Sequence, residues 1–450
     1  MFYLVLGAGI SGIGACNLLV KQNKEVILYD KDKTKLYSIY KAKLIDKSII
    51  LCAKLNKIDI KEIECIVVSP GVKISGTMHR KIQRHNISII SEIELAAQCF
   101  YGSLIAITGT NGKTTTTLLT THIFNCVNKN AVAVGNVGRS FCEVAINANK
   151  EDILVCEASS FQLQNIKTFK PKISAFLNFA PDHLNVHSTL NEYLNSKKNI
   201  FKNQTNDDYI LLNYDDKIVM QCAKETPSKV VYFSVKKILK DDYKYCAYIV
   251  RNIIYIKLNT NTFEIPINNK IQSLNAYNVI VASVIALLYG VNIKDIISSI
   301  SSFNLPPHRC EFVISKNGVE YINDSKATNI HATLNAIKTF SKPIILLLGG
   351  SNKGENFKQL FDNLTPNIKH IVAFGKTGKN IFKLSKRYNK AASYIYNFES
   401  AVKKAQCLAT FGDIVLLSPA CASFDQFSNY SQRGDYFKYL VSGETFEGIK

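Results

Sequence analysis

The sequence predicts an α/β protein built from three α/β units, and three observations carry that expectation. Short apolar runs alternate with helical patterns along the whole chain, as strands alternate with helices. Several of these runs end in Gly-rich or polar turns, where α/β proteins collect their ligands. At 450 residues the chain is too long for one ordinary core, and its length suggests about three domains.

The first unit is expected over residues 1–91. Tyr3–Leu6, Glu25–Tyr29 and Cys65–Val68 read as strands, the last ending in Ser69-Pro70-Gly71. Gly7-Ala8-Gly9-Ile10-Ser11-Gly12 follows the first strand and opens a helix, and Asp30 ends the second strand about twenty residues on. This is the dinucleotide-binding fingerprint in its proper context. From these residues alone three readings stay open: NAD, a different nucleotide with its pyrophosphate at the same helix end, or a Gly-rich turn needed only for close packing.

The second unit is expected over residues 92–305 and holds the most informative stretch, Ile107-Thr108-Gly109-Thr110-Asn111-Gly112-Lys113-Thr114-Thr115. Leu104 to Ile107 reads as a buried strand, and the Lys-Thr pair opens a helix. Backbone N–H groups and a helix N-terminus can face phosphates, a lysine adds charge, and a Thr hydroxyl can reach Mg²⁺. The strict P-loop pattern has a Gly where Ile107 stands, so this is a shorter variant. A plain Gly/Asn turn needs neither the cation nor the hydroxyls. Ile153–Cys156 and Ile173–Leu177 are further strands. Glu157 follows the first of these; it suits a Mg²⁺ site, and a solvated loop glutamate is the plainer reading. Asn178-Phe179-Ala180-Pro181-Asp182-His183-Leu184 follows the second, where a His beside an Asp could meet metal or phosphate or be an ordinary surface residue. Residues 230–268 alternate apolar and polar as strands of a small sheet would, and Asn275 to Tyr289 reads as a helix.

Leu305-Pro306-Pro307 marks the next boundary, so the third unit is expected over residues 306–450. Ile344–Leu348, Ile371–Phe374 and Ile414–Leu417 are its expected buried strands. Three polar loops at apolar-run ends suggest a ligand crevice: Asn323-Asp324-Ser325-Lys326-Ala327-Thr328-Asn329, Gly349-Gly350-Ser351-Asn352-Lys353-Gly354 and Ser418-Pro419-Ala420-Cys421-Ala422-Ser423-Phe424-Asp425. Each alone could be an ordinary loop. There is no internal repeat and no low-complexity tract.

Composition excludes little but points one way. The formal charge of +20 invites a nucleic-acid reading, yet the excess is nearly all Lys spread along the chain, with no aromatic-interleaved basic cluster. No apolar run is long enough to span a bilayer, and Phe2 to Leu6 leads straight into the Gly-rich turn with no cleavable signal. Twelve cysteines without a C-x-x-C pair, many in apolar stretches (Cys65, Cys99, Cys156, Cys421), are expected as reduced, buried thiols of a cytoplasmic protein.

Taken together these segments resemble the Mur ligases over essentially the whole chain, in the branch that adds D-glutamate to UDP-N-acetylmuramoyl-L-alanine. The resemblance rests on Thr-Gly-Thr-Asn-Gly-Lys-Thr-Thr at 108–115, Glu157-Ala-Ser-Ser-Phe-Gln-Leu and Asp182-His183-Leu184. Asn-Asp-Ser-Lys-Ala-Thr-Asn at 323–329, Leu-Ser-Pro-Ala-Cys-Ala-Ser-Phe-Asp-Gln-Phe at 417–427 and Arg433-Gly434 point to that branch. Ala180 stands where Ser or Thr is common, Asn185 where Asp is frequent, and Leu274 where a His is usual.

The resemblance implies a Rossmann-like N-terminal domain that holds the UDP end of the substrate, a central P-loop ATPase domain, and a Rossmann-like C-terminal domain that contacts D-glutamate. It implies ATP-dependent amide formation through an acyl phosphate, in the cytoplasmic stage of peptidoglycan synthesis, by a monomer with no nucleic-acid partner and no membrane insertion. Gly109, Thr110, Asn111, Gly112, Lys113, Thr114 and Thr115, with Asn278, Arg309 and Asp324, would bind ATP. Thr114 would hold one Mg²⁺, and Glu157 and His183 a second, with a carbamylated lysine expected at Lys197. Ile10, Ser11, Asp30, Lys31, Ser69, Pro70 and Gly71 would meet the uridine, and Asn136 the muramoyl portion. Lys326, Thr328, Lys353, Ser423 and Tyr430 would contact D-glutamate. Two rivals explain less. A dehydrogenase gives no reason for Gly112-Lys113-Thr114, and a nucleic-acid ATPase would use the charge but lacks a basic groove.

Overall fold

In a computed structural model of the chain, three β-sheets carry helices on their faces. The structure describes all residues except 35, 37–43, 45, 47, 73, 75, 182–188, 240–241, 353–355 and 444–450. The described residues form two compact units, one joining Met1–Phe179 to Asn191–Phe303 and one made mainly of the residues from Asn304 on.

The first sheet is wholly parallel. Its strands are β1 (Phe2–Leu6), β2 (Val26–Tyr29), β3 (Ile50–Cys52), β4 (Ile63–Val68) and β5 (Ser88–Ser91), in the order β3-β2-β1-β4-β5. Side chains alternate across a strand, so Val5 packs into one apolar cluster while Leu4 and Leu6 pack into another. Both faces are covered, which is why these strands read as continuous apolar runs. β3 and β5 escaped the sequence reading because β3 has only three residues and two of the four in β5 are serines.

The second sheet has nine strands. They are β6 (Ser103–Thr108), β7 (Ala131–Gly135), β8 (Ile153–Glu157), β9 (Ile173–Phe176), β10 (Tyr209–Asn213), β11 (Lys229–Phe233), β12 (Tyr245–Val250), β13 (Ile253–Leu258) and β14 (Asn261–Pro266). Their order is β14-β13-β12-β11-β10-β9-β6-β8-β7. The strands expected as a separate small sheet over 230–268 instead extend this one. β12, β13 and β14 form an antiparallel meander, but β12 also pairs with β11 in parallel at Cys246 and Ala247. A free edge at β11 accounts for this, because it offers unpaired backbone groups to the meander.

The first two sheets share one unit, and two buried glutamates on the helix Glu92–Ala97 show how. Glu94 accepts from the backbone N–H groups of Lys167, Thr168 and Phe169 at 2.8–2.9 Å and from the Thr168 hydroxyl at 2.7 Å. Glu92 accepts from the Ser140 hydroxyl at 2.6 Å and the Cys142 N–H at 2.7 Å.

The third sheet belongs to the second unit. Its strands are β15 (Glu311–Lys316), β16 (Val319–Asn323), β17 (Ile344–Gly349), β18 (Ile368–Phe374), β19 (Ala392–Tyr394) and β20 (Ile414–Leu417), in the order β15-β16-β20-β17-β18-β19. Only the β15–β16 hairpin is antiparallel. Leu346 and Leu348 enter one apolar cluster, Ile345 and Leu347 the other.

All twelve cysteines are unpaired. Cys65, Cys156 and Cys421 are buried as expected, but Cys99 is only half-buried and Cys126 and Cys407 are exposed. Cys99 lies just beyond a short helix, where one side of the chain faces outward. No described helix is long and apolar enough to cross a membrane.

Candidate active site

The phosphate-type loop joins β6 to the helix Lys113–Cys126. Gly109 and Gly112 sit at φ +148° and +85°, which L side chains rarely adopt. A Cβ on Gly112 would lie 2.7 Å from Asn278 Oδ1, so that position also has no room. Asn178, just after β9, grips the loop from outside: its Oδ1 accepts from the N–H of Thr110 at 3.1 Å and of Asn111 at 2.8 Å, and its Nδ2 donates to Asn111 O at 3.0 Å. Asn278 holds the loop from behind. Its Oδ1 accepts from the Thr116 hydroxyl at 3.1 Å, and its Nδ2 donates to Leu274 O at 2.9 Å. Thr114 and Thr115 are buried in the first helical turn.

Two ammonium groups converge on this loop. Lys113 Nζ donates to Gly109 O and Thr110 O, both at 2.8 Å. Lys197 Nζ donates to the same Gly109 O at 2.7 Å and lies 4.7 Å from the centre of the Tyr193 ring. Lys197 is only 2% exposed, although it lies in the last turn of a helix, Leu190–Lys198. Its neighbour Lys198 pairs with Glu225 at 2.6 Å and is more exposed.

Glu157 ends β8, next to the loop, because Ile107 and Glu157 are paired across β6 and β8. Asn136 donates from Nδ2 to Glu157 Oε1 at 2.8 Å. Glu157 Oε2 is buried with no hydrogen-bond partner. Asn136 is thus placed beside Glu157 within the same cluster. His183 lies outside the described residues, and the described ones alone assemble no group of three or more His, Cys, Asp or Glu fit for a metal.

In the first sheet the Gly-rich turn behaves as its spacing demands. A Cβ on Gly12 would run into Gly7 O, whereas a Cβ on Gly9 would meet nothing within 4 Å. Gly12 therefore permits close packing and Gly9 keeps an approach open. Asp30 is committed to the turn itself: its carboxylate accepts from Ala8 N at 2.9 Å and from Asp32 N at 3.1 Å. Ser69 caps the other side, donating to Gly7 O at 3.2 Å, and Pro70 and Gly71 follow it. Ile10 is 67% exposed, and Ser11 and Lys31 flank the same turn. At the β3 side of the same sheet, a cleft of about 610 Å³ is lined by Lys33, Leu36, Ile49, Cys52, Lys54 and Lys57, among others.

In the third sheet the loops after β16, β20 and β17 meet, because these strands are adjacent and parallel. Ser351 and Ala422 exchange backbone bonds at 2.8 and 3.1 Å. Asp324 is buried: Ser418 Oγ donates to it at 2.7 Å and Cys310 N at 3.3 Å. Burial pushes its carboxyl up to about 7 against these bonds and the nearby Arg309. Lys326 Nζ lies 4.9 Å from the centre of the Tyr430 ring, and Ser325 Oγ donates to Tyr430 O at 2.8 Å. Ser423 is buried, and Thr328 is partly exposed. Lys353 lies outside the described residues.

Comparison with known proteins finds one family along the chain. The Mur ligase MurD-like N-terminal domain matches residues 2–91, the Mur ligase middle domain 107–286 and the Mur ligase glutamate ligase domain 308–421. The UDP-N-acetylmuramoylalanine–D-glutamate ligase of Alkaliphilus metalliredigens is 38% identical over 98% of this chain and 97% of its own. That of Clostridioides difficile is 37% identical over 98% of both. The chain belongs to the Mur ligase family, among the UDP-N-acetylmuramoylalanine–D-glutamate ligases.

Solved structures agree on the three-domain Mur ligase fold. The Mur ligase MurC of Thermotoga maritima superposes with a TM-score of 0.62 at 14% identity, covering 98% of this chain and 99% of that one. A MurF ligase of the same organism, in complex with ADP, gives 0.58 at 16% identity, covering 93% and 96%.

Within this Mur ligase the described site residues gather in three places: the Gly-rich turn of the first sheet, the phosphate loop with Glu157, Asn136, Asn278 and Lys197, and the loops of the third sheet. Sequence reading missed three residues that position others. Asn178 stands in the sequence only as the start of a strand-end motif, and nothing local marks Tyr193 or Glu92. Their roles depend on contacts between residues far apart in the chain, which no local pattern carries.

Proposed function

We propose that this Mur ligase joins the carboxylate of UDP-N-acetylmuramoyl-L-alanine to the amine of D-glutamate, and that the residues described above carry the reaction. The enzyme is an ATP-dependent ligase of peptidoglycan synthesis. A carboxylate is a poor acyl donor at neutral pH, so its oxygen first attacks the γ-phosphorus of ATP. ADP leaves and an acyl phosphate forms. The amine of D-glutamate then attacks the acyl carbon, an amide bond forms, and inorganic phosphate leaves. The protein's tasks are to position the reactants and to offset charge.

The observation that carries the residue assignment is the convergence of Lys113, Lys197 and Glu157 around the loop Gly109–Gly112. Lys113 is placed to offset β- and γ-phosphate charge, with the loop N–H groups and helix N-terminus as further donors. The donor set suits Mg²⁺: Glu157 keeps one buried carboxylate oxygen without a protein partner, and Thr114 adds a hydroxyl. His183 and a carbamate on Lys197 complete the proposed set. Mg²⁺ there would offset phosphate charge. Lys197 is buried and its Nζ reaches Gly109 O, so a carbamate formed there would stand beside the loop, where it could help hold Mg²⁺.

The N-terminal turn is assigned to UDP, not NAD, with Ile10, Ser11, Lys31 and Ser69–Gly71 as its walls and Asp30 holding the turn. Arg309 and Asp324 are assigned to the nucleotide. Lys326, Thr328, Lys353, Ser423 and Tyr430 are assigned to D-glutamate. The domains are taken as 1–91, 92–305 and 306–450, in a cytoplasmic monomer. One assay tests the function: ADP release should require both UDP-N-acetylmuramoyl-L-alanine and D-glutamate. ADP release with either omitted, or with NAD binding at micromolar level in place of the UDP substrate, would overturn it.

A further inference from the structure

Arg433, on the last helix (Tyr430–Ser442), is fully buried at 0% exposure. Its guanidinium joins the loops of the third sheet. Nε donates to Ser325 Oγ at 3.0 Å, and Nη2 donates to Ser325 O at 2.8 Å and to Cys421 O at 3.1 Å. Ser325 lies in the loop after β16 and Cys421 in the loop after β20. The third nitrogen faces the remaining loop: a Cβ on Gly350, just after β17, would stand 3.2 Å from Nη1. A larger residue than Gly would therefore crowd the guanidinium. Gly434, next on the helix, lets the His308 ring lie against the helix backbone, since a Cβ there would overlap that ring.

Two features go beyond ordinary scaffolding. Nη1 is buried with no hydrogen-bond partner. Among the described residues no carboxylate lies within ion-pair distance of the guanidinium, and Asp425 and Asp324 act on it only through space. Burial pulls the group down to about 10, so it remains a cation at neutral pH. A buried cation without a counter-ion is costly unless something else offsets it. An anionic ligand held by the surrounding loops would do so.

We propose that Arg433 is a positioning residue for the amino-acid acceptor. It ties the loop after β16 to that after β20 and packs against Gly350 after β17, and its charge, which no described carboxylate pairs, favours an acceptor that brings carboxylates. The proposal rests on the reading that these loops take D-glutamate. Arg433 itself touches no solvent, so it acts through Ser325, Cys421 and Gly350 and their neighbours Lys326 and Ser423.

The test uses Arg433→Lys and Arg433→Met in the full chain. KM for D-glutamate, KM for ATP and kcat are read separately from ADP release. Lysine keeps the charge but not the planar fork, and methionine keeps neither. The expected result is a KM for D-glutamate raised at least about tenfold in Arg433→Lys and further in Arg433→Met, with KM for ATP within about twofold of wild type. An unchanged KM for D-glutamate, an equal rise in both KM values, or failure of both variants to fold overturns the proposal. Equal effects of lysine and methionine overturn its charge part. A wild-type chain that ignores D-glutamate but releases ADP with another amino acid overturns the acceptor reading instead. The same KM comparison with that amino acid then decides the role of Arg433.

Discussion

Lys113 and Lys197 bring two ammonium groups to a single carbonyl oxygen, that of Gly109. In the proposed reaction they have different tasks, and substitution should separate them. Lys113→Ala should abolish ligation while leaving affinity for the UDP substrate within about twofold, because the Lys113 loop belongs to the second sheet and the Gly-rich turn to the first. Calorimetry showing equal loss of UDP-substrate binding would count against separate sites. Adjacent residues on a helix point about 100° apart. Here Lys197 is buried while Lys198 reaches Glu225 nearer the surface. Lys197→Ala should lose activity that short carboxylic acids partly restore, and Lys198→Ala should stay active; the reverse pattern would move the carbamate to Lys198. Asp324 yields a pH prediction. Burial raises its carboxyl from 3.8 to about 7, so the folded chain binds a proton that the unfolded chain has released. Its contribution to stability is therefore full below about 3.8 and is lost as pH rises to about 7. Unfolding midpoints across that window should fall less with pH in Asp324→Asn than in wild type, and parallel curves would refute the assignment.

The elements follow local rules where each residue's task is local. The helix Lys113–Cys126 begins at Gly112 because only a residue free of Cβ takes φ +85° there. The helix Ala276–Leu288 closes behind it, with Asn278 tying it to Thr116. Gly112→Ala should fail on both counts, through backbone strain and through collision with Asn278 Oδ1. We expect a loss of roughly 1–3 kcal/mol of stability and weaker ATP binding. A denaturant titration and an ATP titration that both match wild type would show that the loop tolerates a side chain. The long apolar strands and the Gly-rich turns were readable because buried parallel strands must be apolar and tight turns need Gly. The short strands β3, β5 and β19 were not, since three or four residues are too few to show a period.

At the scale of the molecule, the first two sheets are joined through Glu94. Three backbone N–H groups and one hydroxyl would lose their acceptor without it. Burial alone would push this carboxyl up, but the Thr168 hydroxyl, the N–H groups of Lys167 and Thr168, and Gln98 outweigh it and hold it below the ordinary 4.5. The stabilisation is thus present above about pH 4.5 and is lost as pH falls through the lower folded value. Glu94→Ala should cost about 3–5 kcal/mol at neutral pH. In Glu94→Gln the gap in unfolding temperature from wild type should shrink as pH drops below about 4.5. A gap independent of pH would mean that the carboxylate charge is not what these N–H groups require.

What the sequence determined by itself was the class of fold, the strand, Gly-rich turn and helix around the loop at 109–115, and the placing of polar loops at strand ends. These are local consequences of side-chain period, backbone freedom at Gly and charge at a helix start. The tertiary structure alone decided that the meander over 245–266 extends the nine-stranded sheet, that Asp30 is committed to its own turn and that Lys197, not Lys198, faces Gly109. It also decided that Asn136 lies on Glu157 and that Arg433 joins loops whose residues are about 12 to 108 positions away in the chain. Such contacts depend on which strand edge is free, which helix face is covered and which buried polar group needs a partner. Those conditions arise only when distant segments pack, because a buried donor or acceptor must then find a partner wherever the chain has brought one.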